Sequence, residues 1–427
     1  MCRNRETLSL GDVLDQVIDH RGKTPKKLGG DFVDHGVRVL SAKNVVGGSL
    51  DLADLRYVTP DMYERWMPTK LRIGDVLLTS EAPLGEVAYL RTDAEFCLGQ
   101  RLFALRADPH RLHPRYLYYA LRSKAMQDRL HARATGTTAQ GIRQSELVKV
   151  AIDLPPLPEQ RAIAHILGTL DDKIELNRRM NATLEEMARA LFKSWFVDFD
   201  PARAKAAGRQ PAGMGAATAA LFPDSFEESE LGEIPRGWEV KPLDQIASFL
   251  NGLAMQRHPP NGHDDLPVIK IAELRGGISA STRKASATFD PRYIVEDGDV
   301  LFSWSGTLEV EVWCGGRGAL NQHLFKVASE DYPKWFYFWW IRHHLPVFRS
   351  VAAGKATTMG HIRRRHLSEA LAVVPDARVL DQADEILLQI TERVISNELE
   401  ARILARMRDT LLPTLLDGSV VLNTEEI

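Results

Sequence analysis

At 427 residues, with 44% hydrophobic and 26% charged residues and a formal net charge of -3, the chain has the composition of an ordinary globular protein with room for two or three domains, each with its own core. Three widely separated cysteines, Cys2, Cys97 and Cys314, indicate neither a disulfide framework nor a zinc site. The longest unbroken apolar run, WFYFWWI at 335–341, falls far short of the ~20 residues that span a bilayer. The start, MCRNRETLSLGDV, has no apolar segment of signal-peptide type, so a cytoplasmic protein without membrane contact is expected.

In chain order, residues 1–153 open with an amphipathic run at 8–18 and a basic loop at 19–27. Strand-like pieces follow at 37–41 and 76–79, the second entered through Gly74-Asp75; 98–105 reads as a further strand and 114–122 as a helix. Residues 154–200 then form a long helix. Positions 163, 167, 170, 174, 177, 181, 184, 188, 191 and 195 read Ile, Leu, Leu, Ile, Asn, Asn, Leu, Ala, Leu and Trp, a 4-3 alternation that keeps one stripe facing a partner helix.

Residues 201–235, rich in Ala, Gly and Pro, are expected to be a linker with at most a short helix. Residues 236–374 then repeat the order of 1–153. Gly298-Asp299-Val300-Leu301 echoes Gly74-Asp75-Val76-Leu77, and Gln322-His323-Leu324-Phe325 echoes Gln100-Arg101-Leu102-Phe103. Residues 375–427 are a second helical segment and tail. Adding 220 to each stripe position gives Ala383, Leu387, Ile390, Val394, Asn397, Ala401, Leu404, Arg408, Leu411 and Leu415, and Met187 falls on Met407, Arg143 on Arg363, and Thr137-Thr138 on Thr357-Thr358. The second helix is expected to finish at Pro413.

The expected fold is therefore α+β: two mixed α/β globules, 1–153 and 236–374, joined by two long antiparallel helices with pseudo-two-fold symmetry. The seam is predicted to be built by Leu167, Leu170, Ile174, Asn177, Leu184 and Leu191 against Leu387, Ile390, Val394, Asn397, Leu404 and Leu411. Like surfaces pair most economically about a two-fold axis, and a buried Asn at matching seam positions fixes register at some cost in stability. Helices of about 38 and 32 residues make rods ~57 and ~48 Å long.

Splitting the charge separates the segments: 23 Lys and Arg stand against 19 Asp and Glu in 1–153, and 17 against 14 in 236–374, while the helices and linker are acidic. Two mildly basic globules on a rod suit a bipartite duplex DNA site, whose half-sites recur about every ~34 Å. They suit equally a duplicated coiled-coil adaptor that touches no DNA.

Signals of catalysis are weak. The Pro-Pro pairs at 155 and 259 lack the flanks of an adenine methyltransferase motif, Gly22-Lys23-Thr24 has Val17 where a phosphate loop needs its first glycine, and no nuclease-like acidic cluster follows a strand. His258 and His263 bracket a turn rather than a metal. The basic candidates for DNA contact are Arg21, Lys23, Lys26 and Lys27 in one loop, then Arg143 and its counterpart Arg363, extended by Arg364 and Arg365. Gln100 and Gln322 could reach adenine edges, but inside strand-like runs internal bonding is the expectation. The aromatic run 335–340 reads as core.

The runs DDKIELNRRMNATLEEMARALFKSWFVDFDP, AALFPDSFEESELGEIPRGW and FSWSGTLEVEVW, with GALNQHLFKV beyond it, resemble the specificity subunit of type I restriction-modification systems across essentially the whole chain. The resemblance implies two target-recognition domains that each read one half of a split DNA sequence, with paired helices setting the spacer. It implies two modification (methyltransferase) subunits docked on the helical regions, restriction subunits joining those, and no catalysis or cofactor in this chain. S-adenosylmethionine, ATP and Mg would belong to the partners. A fused nuclease-methyltransferase and a non-DNA adaptor are the competing readings.

Overall fold

The computed structural model describes residues 5–136, 139–354, 360–420 and 422. The chain forms two compact units, Met1–Lys173 with Leu404–Ile427, and Ile174–Ile403. In the first, a four-stranded antiparallel sheet has the order Leu14–Asp19, Leu102–Ala107, Val76–Ser80, Leu84–Tyr89. A second sheet runs Arg56–Val58, Val37–Leu40, Phe96–Leu98, the last two parallel. A third pairing joins Glu6–Ser9 to Ala151–Leu154.

The second unit is built on the same plan. Its four-stranded sheet has the order Ser248–Asn251, Leu324–Ala328, Val300–Ser303, Val310–Val312. Leu266–Ile269 lies parallel to Gly318–Leu320, and Glu239–Pro242 pairs with Leu371–Val374. Even the registers correspond: Thr79 faces Leu102 as Ser303 faces Leu324, and Val39 lies beside Cys97 as Val268 lies beside Ala319.

Strand alternation explains how each central sheet divides two cores. Successive side chains leave a strand on opposite faces, so Val76, Leu78, Phe103 and Leu105 enter one cluster while Leu77, Leu102 and Ala104 enter another. Val300, Phe302, Phe325 and Val327 separate from Leu301 and Leu324 in the same way. The aromatic run Trp335, Phe336, Tyr337, Phe338, Trp339 and Trp340 is buried throughout.

Three expectations are corrected. The run 98–105 is two strands, Phe96–Leu98 and Leu102–Ala107, serving different sheets. The break is steric: the Gly99 N–H donates to the Leu40 carbonyl at 2.7 Å, and a Cβ at Gly99 would sit 2.4 Å from that oxygen. The segment 201–235 is folded, with helices Asp200–Ala206 and Ala216–Leu221 and a hairpin of Phe226–Ser229 with Gly232–Pro235. Its few large apolar side chains anchor it, for Phe199 packs on Trp238 and Phe222 on Trp195, and Ile234 is buried beside them. The second long helix does not stop at Pro413 but runs Ala377–Asp417. Buried Leu415 holds the last turn in the core, and Arg5 donates to the carbonyls of Leu415 and Leu416, as a cation at a helix C-terminus should.

The first long helix, Leu157–Phe192, continues as a π-turn, Lys193–Val197. None of the twelve seam residues named from the sequence is exposed, and Leu167, Ile174, Asn177, Leu387 and Asn397 are fully buried. Within the second unit, Asn177 Nδ2 donates to the Asn397 carbonyl (3.3 Å) and to Glu400 Oε2 (2.8 Å), while Asn181 Nδ2 reaches the Val394 carbonyl (3.2 Å). Partner numbers fall as the first helix advances, so the two helices run antiparallel along this seam. Asn397 Nδ2 completes the set by donating to Asn181 Oδ1 at 2.8 Å.

Within the first unit, the seam is ionic. Arg408 Nη1 donates to Asp171 Oδ1 (2.8 Å) and the Tyr119 hydroxyl donates to Asp171 Oδ2 (2.6 Å). Burial works against the Arg408 charge, but the bonds from Asp171 and Asp409 outweigh it and hold the guanidinium above its ordinary pKa. Removing one partner of a buried pair leaves an uncompensated charge and costs about 3 kcal/mol. Arg408→Ala is therefore expected to lose about that much stability in denaturant melts, whereas Asp171→Leu with Arg408→Met should recover most of it.

Candidate nucleic-acid interface

In each unit, three loops meet at one end of the four-stranded sheet, and the same backbone hydrogen bonds hold them. The Ser80 N–H donates to the Arg101 carbonyl (2.8 Å) and the Ile142 N–H to the Ser80 carbonyl (2.9 Å). In the second unit, the Trp304 N–H donates to the His323 carbonyl (3.3 Å) and the Ile362 N–H to the Trp304 carbonyl (2.9 Å). Isolated bridges Glu81 to Gly141 and Ser305 to His361 complete the two frames. Loops presented by a rigid scaffold are where recognition usually resides.

The frame carries polar side chains. In the first unit, Glu81 and Arg101 pair at 3.2 Å. In the second, Ser305 Oγ lies 2.8 Å from His323 Nδ1, and Trp304 Nε1 donates to Asn251 Oδ1 at 2.8 Å. Gln100 and Gln322 sit here, in the turns between two sheets rather than inside strands, because the apolar runs on either side belong to different sheets. Gln100 is exposed, and Gln322 Nε2 lies 3.3 Å from His323 Nε2. In the sequence Arg101 and His323 stand out only as the basic residues after Gln100 and Gln322, and nothing local marks Glu81 or Ser305, whose neighbours differ between the units.

The basic residues named from the sequence fall into two groups. Arg21 is half-buried, paired with Asp19 at 2.8 Å, donating to the Ile142 carbonyl, with its guanidinium 4.1 Å from the Phe103 ring centre. Burial alone would raise the Asp19 pKa, but the bonds from Arg21 bring its carboxyl below the usual range. Arg364 has a similar task, donating to the Phe249 carbonyl above Phe325, the counterpart of Phe103. Lys23 donates to the Trp66 carbonyl at 2.6 Å and Lys27 to Gly22 at 2.9 Å. Lys26, Arg143 and Arg363 are exposed, and Arg365 lies 4.0 Å from Glu369. Arg143 and Arg363 hold matching places just before the short helices Gln144–Leu147 and Arg365–Ser368. Thr137, Thr138, Thr357 and Thr358 lie outside the described residues.

Other chemistry is thin. His258 packs edge-on against Phe289, and among the described residues no group of three or more His, Cys, Asp or Glu could hold a metal ion. Burial pushes the Cys97 and Cys314 thiols up to about 12, the opposite of an activated nucleophile. Among the described residues no helix is long and apolar enough to cross a membrane.

Comparison with known proteins agrees with the fold. Residues 3–186 match a family described as the type I restriction modification DNA specificity domain. The type I restriction enzyme MjaIX specificity subunit of Methanocaldococcus jannaschii is 28% identical over 395 residues, covering 88% of this chain and 86% of that protein. The HindI specificity subunit of Haemophilus influenzae is 25% identical over 403 residues, covering 82% and 87%. The crystal structure of a type I restriction-modification S subunit from M. genitalium superposes with a TM-score of 0.55 at 17% identity, covering 97% of this chain and 96% of that one, a likeness of fold. With the second unit repeating the plan of the first, the chain is similar over most of its length to type I restriction enzyme specificity subunits, and its first unit matches their DNA specificity domain.

Proposed function

We propose that this chain is the DNA sequence-reading subunit of a type I restriction-modification assembly, in which each unit reads one part of a split duplex target. The observation that carries this reading is the repetition: two units share strand order, register and loop frame, and each sets an exposed arginine, Arg143 or Arg363, at the same place. A doubled reader needs a doubled target. Exposed arginines of this kind suit phosphate contacts, which position a protein on duplex without specifying sequence.

The partners follow from the same doubling. Met187 and Met407 are matched positions on the two long helices, and both are largely exposed, at 55% and 48%. Methionine adapts to many apolar surfaces, so each helix offers a docking point to one copy of a modification subunit, two in all, with restriction subunits joining through them. S-adenosylmethionine, ATP and Mg serve those partners in the cytoplasm, and this chain contributes binding and position rather than catalysis.

Three outcomes are expected. Mapping methylated adenines in the source genome should reveal a motif of two short blocks with an unspecified gap; methylation without a shared motif would count against the reading. Arg143→Ala and Arg363→Ala should each weaken binding to any duplex and lower the salt slope by about 1, measured by titration at several salt concentrations, while Arg21→Ala should instead lower the melting temperature. Met187→Glu or Met407→Glu should each leave one modification subunit bound instead of two, as weighed by native mass spectrometry.

A further inference from the structure

The two loop frames allow a comparison inside one chain. Two backbone hydrogen bonds in one frame have counterparts in the other, and residues within or beside them agree: Gln100 with Gln322, Leu102 with Leu324, Phe103 with Phe325, Ile142 with Ile362. Against that agreement several matched positions differ in chemistry, Ser80 with Trp304 and Gly141 with His361 among them, and two of these positions form a side-chain pair in each unit. Where the first unit has Glu81 and Arg101, the second has Ser305 and His323. In both units these two side chains touch each other, at 3.2 Å as an ion pair in the first and at 2.8 Å as a hydroxyl–imidazole contact in the second.

Packing does not dictate the pair in the first unit, although Ser305 in the second is buried. Glu81 and Arg101 leave 44% and 53% of their side-chain surface open, so neither fills a core. Arg101 is also held in the left-handed region at φ 63, where a residue with a Cβ is disfavoured, and Ala82 beside Glu81 is there too at φ 48. Among the described residues only two other non-glycine residues share that conformation. Strain of this kind clusters where a side chain is aimed for use.

We infer that positions 81 and 101 in the first unit, and 305 and 323 in the second, determine which base each unit accepts at its point of contact. This rests on the proposed function. Arg101, whose Nε is engaged by Glu81, carries a planar fork that suits guanine O6 and N7, and Glu81 is the positioning residue that fixes its plane. His323 presents one ring nitrogen to Ser305 and lies beside the Gln322 amide, a group suited to adenine N6 and N7. The shared frame places a reader, and the exchanged pair changes what it reads.

The test exchanges the pairs in the full chain, assembled with its modification partner. Glu81→Ser with Arg101→His should change base preference by about tenfold or more at one or two positions in one half of the target. It should leave the other half and the gap as they were. Ser305→Glu with His323→Arg should alter only the opposite half. Arg101→Lys keeps the charge and loses the fork, so it should blur the first half while total affinity stays within about twofold, which keeps the idea testable if a double exchange does not fold. Selection from randomised duplexes reads all of these. If the unaltered assembly shows no preference among duplexes, the proposed function falls and this inference with it. If the unaltered assembly reads a split sequence and the folded exchanges read the same one, or lose both halves alike, only this inference is overturned.

Discussion

The antiparallel seam of the two long helices is the constraint on which the rest depends, because neither unit closes its core without both of them. Leu167 from the first helix and Leu415 from the second lie in the same cluster as Val76, Leu78 and Phe103. Ala188 and Phe192 from the first and Ala383 and Leu387 from the second lie with Phe302 and Phe325. A unit is thus not a stretch of sequence: the first borrows 404–427 and the second begins inside the first helix. Burial of such side chains, about 1.5 to 3 kcal/mol each, ties the stability of each sheet to the pairing of the helices. The polar groups in the seam keep that pairing from sliding, since Asn177 and Asn181 each bond across to Asn397 in a single register.

On this scaffold, the proposed roles of positioning and choice fall to different atoms. The loop frames are held by backbone groups, which every residue supplies, so side chains at their tips are free to change without disturbing the fold. The exposed arginines that precede the short helices, Arg143 and Arg363, are the same in both units. In the first unit the pair that differs, Glu81 and Arg101, is open to solvent. A protein that must bind all DNA weakly and one sequence tightly needs both kinds of contact.

Much of this was legible in the sequence, for physical reasons. The seam follows from helical periodicity, and the doubling from a constant offset of 220 that brings Asn177 onto Asn397 without a gap. The central strands follow from their apolar runs. What escaped depended on contacts far away in sequence. Nothing local to 98–105 tells that Gly99 must pass within reach of the Leu40 carbonyl, which ends one strand there and sends the next to another sheet. The Ala, Gly and Pro composition of 201–235 concealed that Phe222 and Ile234 suffice to fasten it. Pro413 ends a helix in isolation, but a buried leucine and the Arg5 cap, more than four hundred residues upstream, hold it in line. Arg21 and Arg364 read as free cations until the rings beneath them are seen.

The ion pair in the first unit's seam sets the two halves of the molecule apart. The offset places Thr391 where the second copy would need Asp171, and Ala188 where the first would need Arg408. A protein composed of two identical first halves would therefore seal a carboxylate beside a methyl group, a mismatch of several kcal/mol. The two halves therefore fit each other at this point as a lock fits its key, and neither carries the matching partner for its own copy.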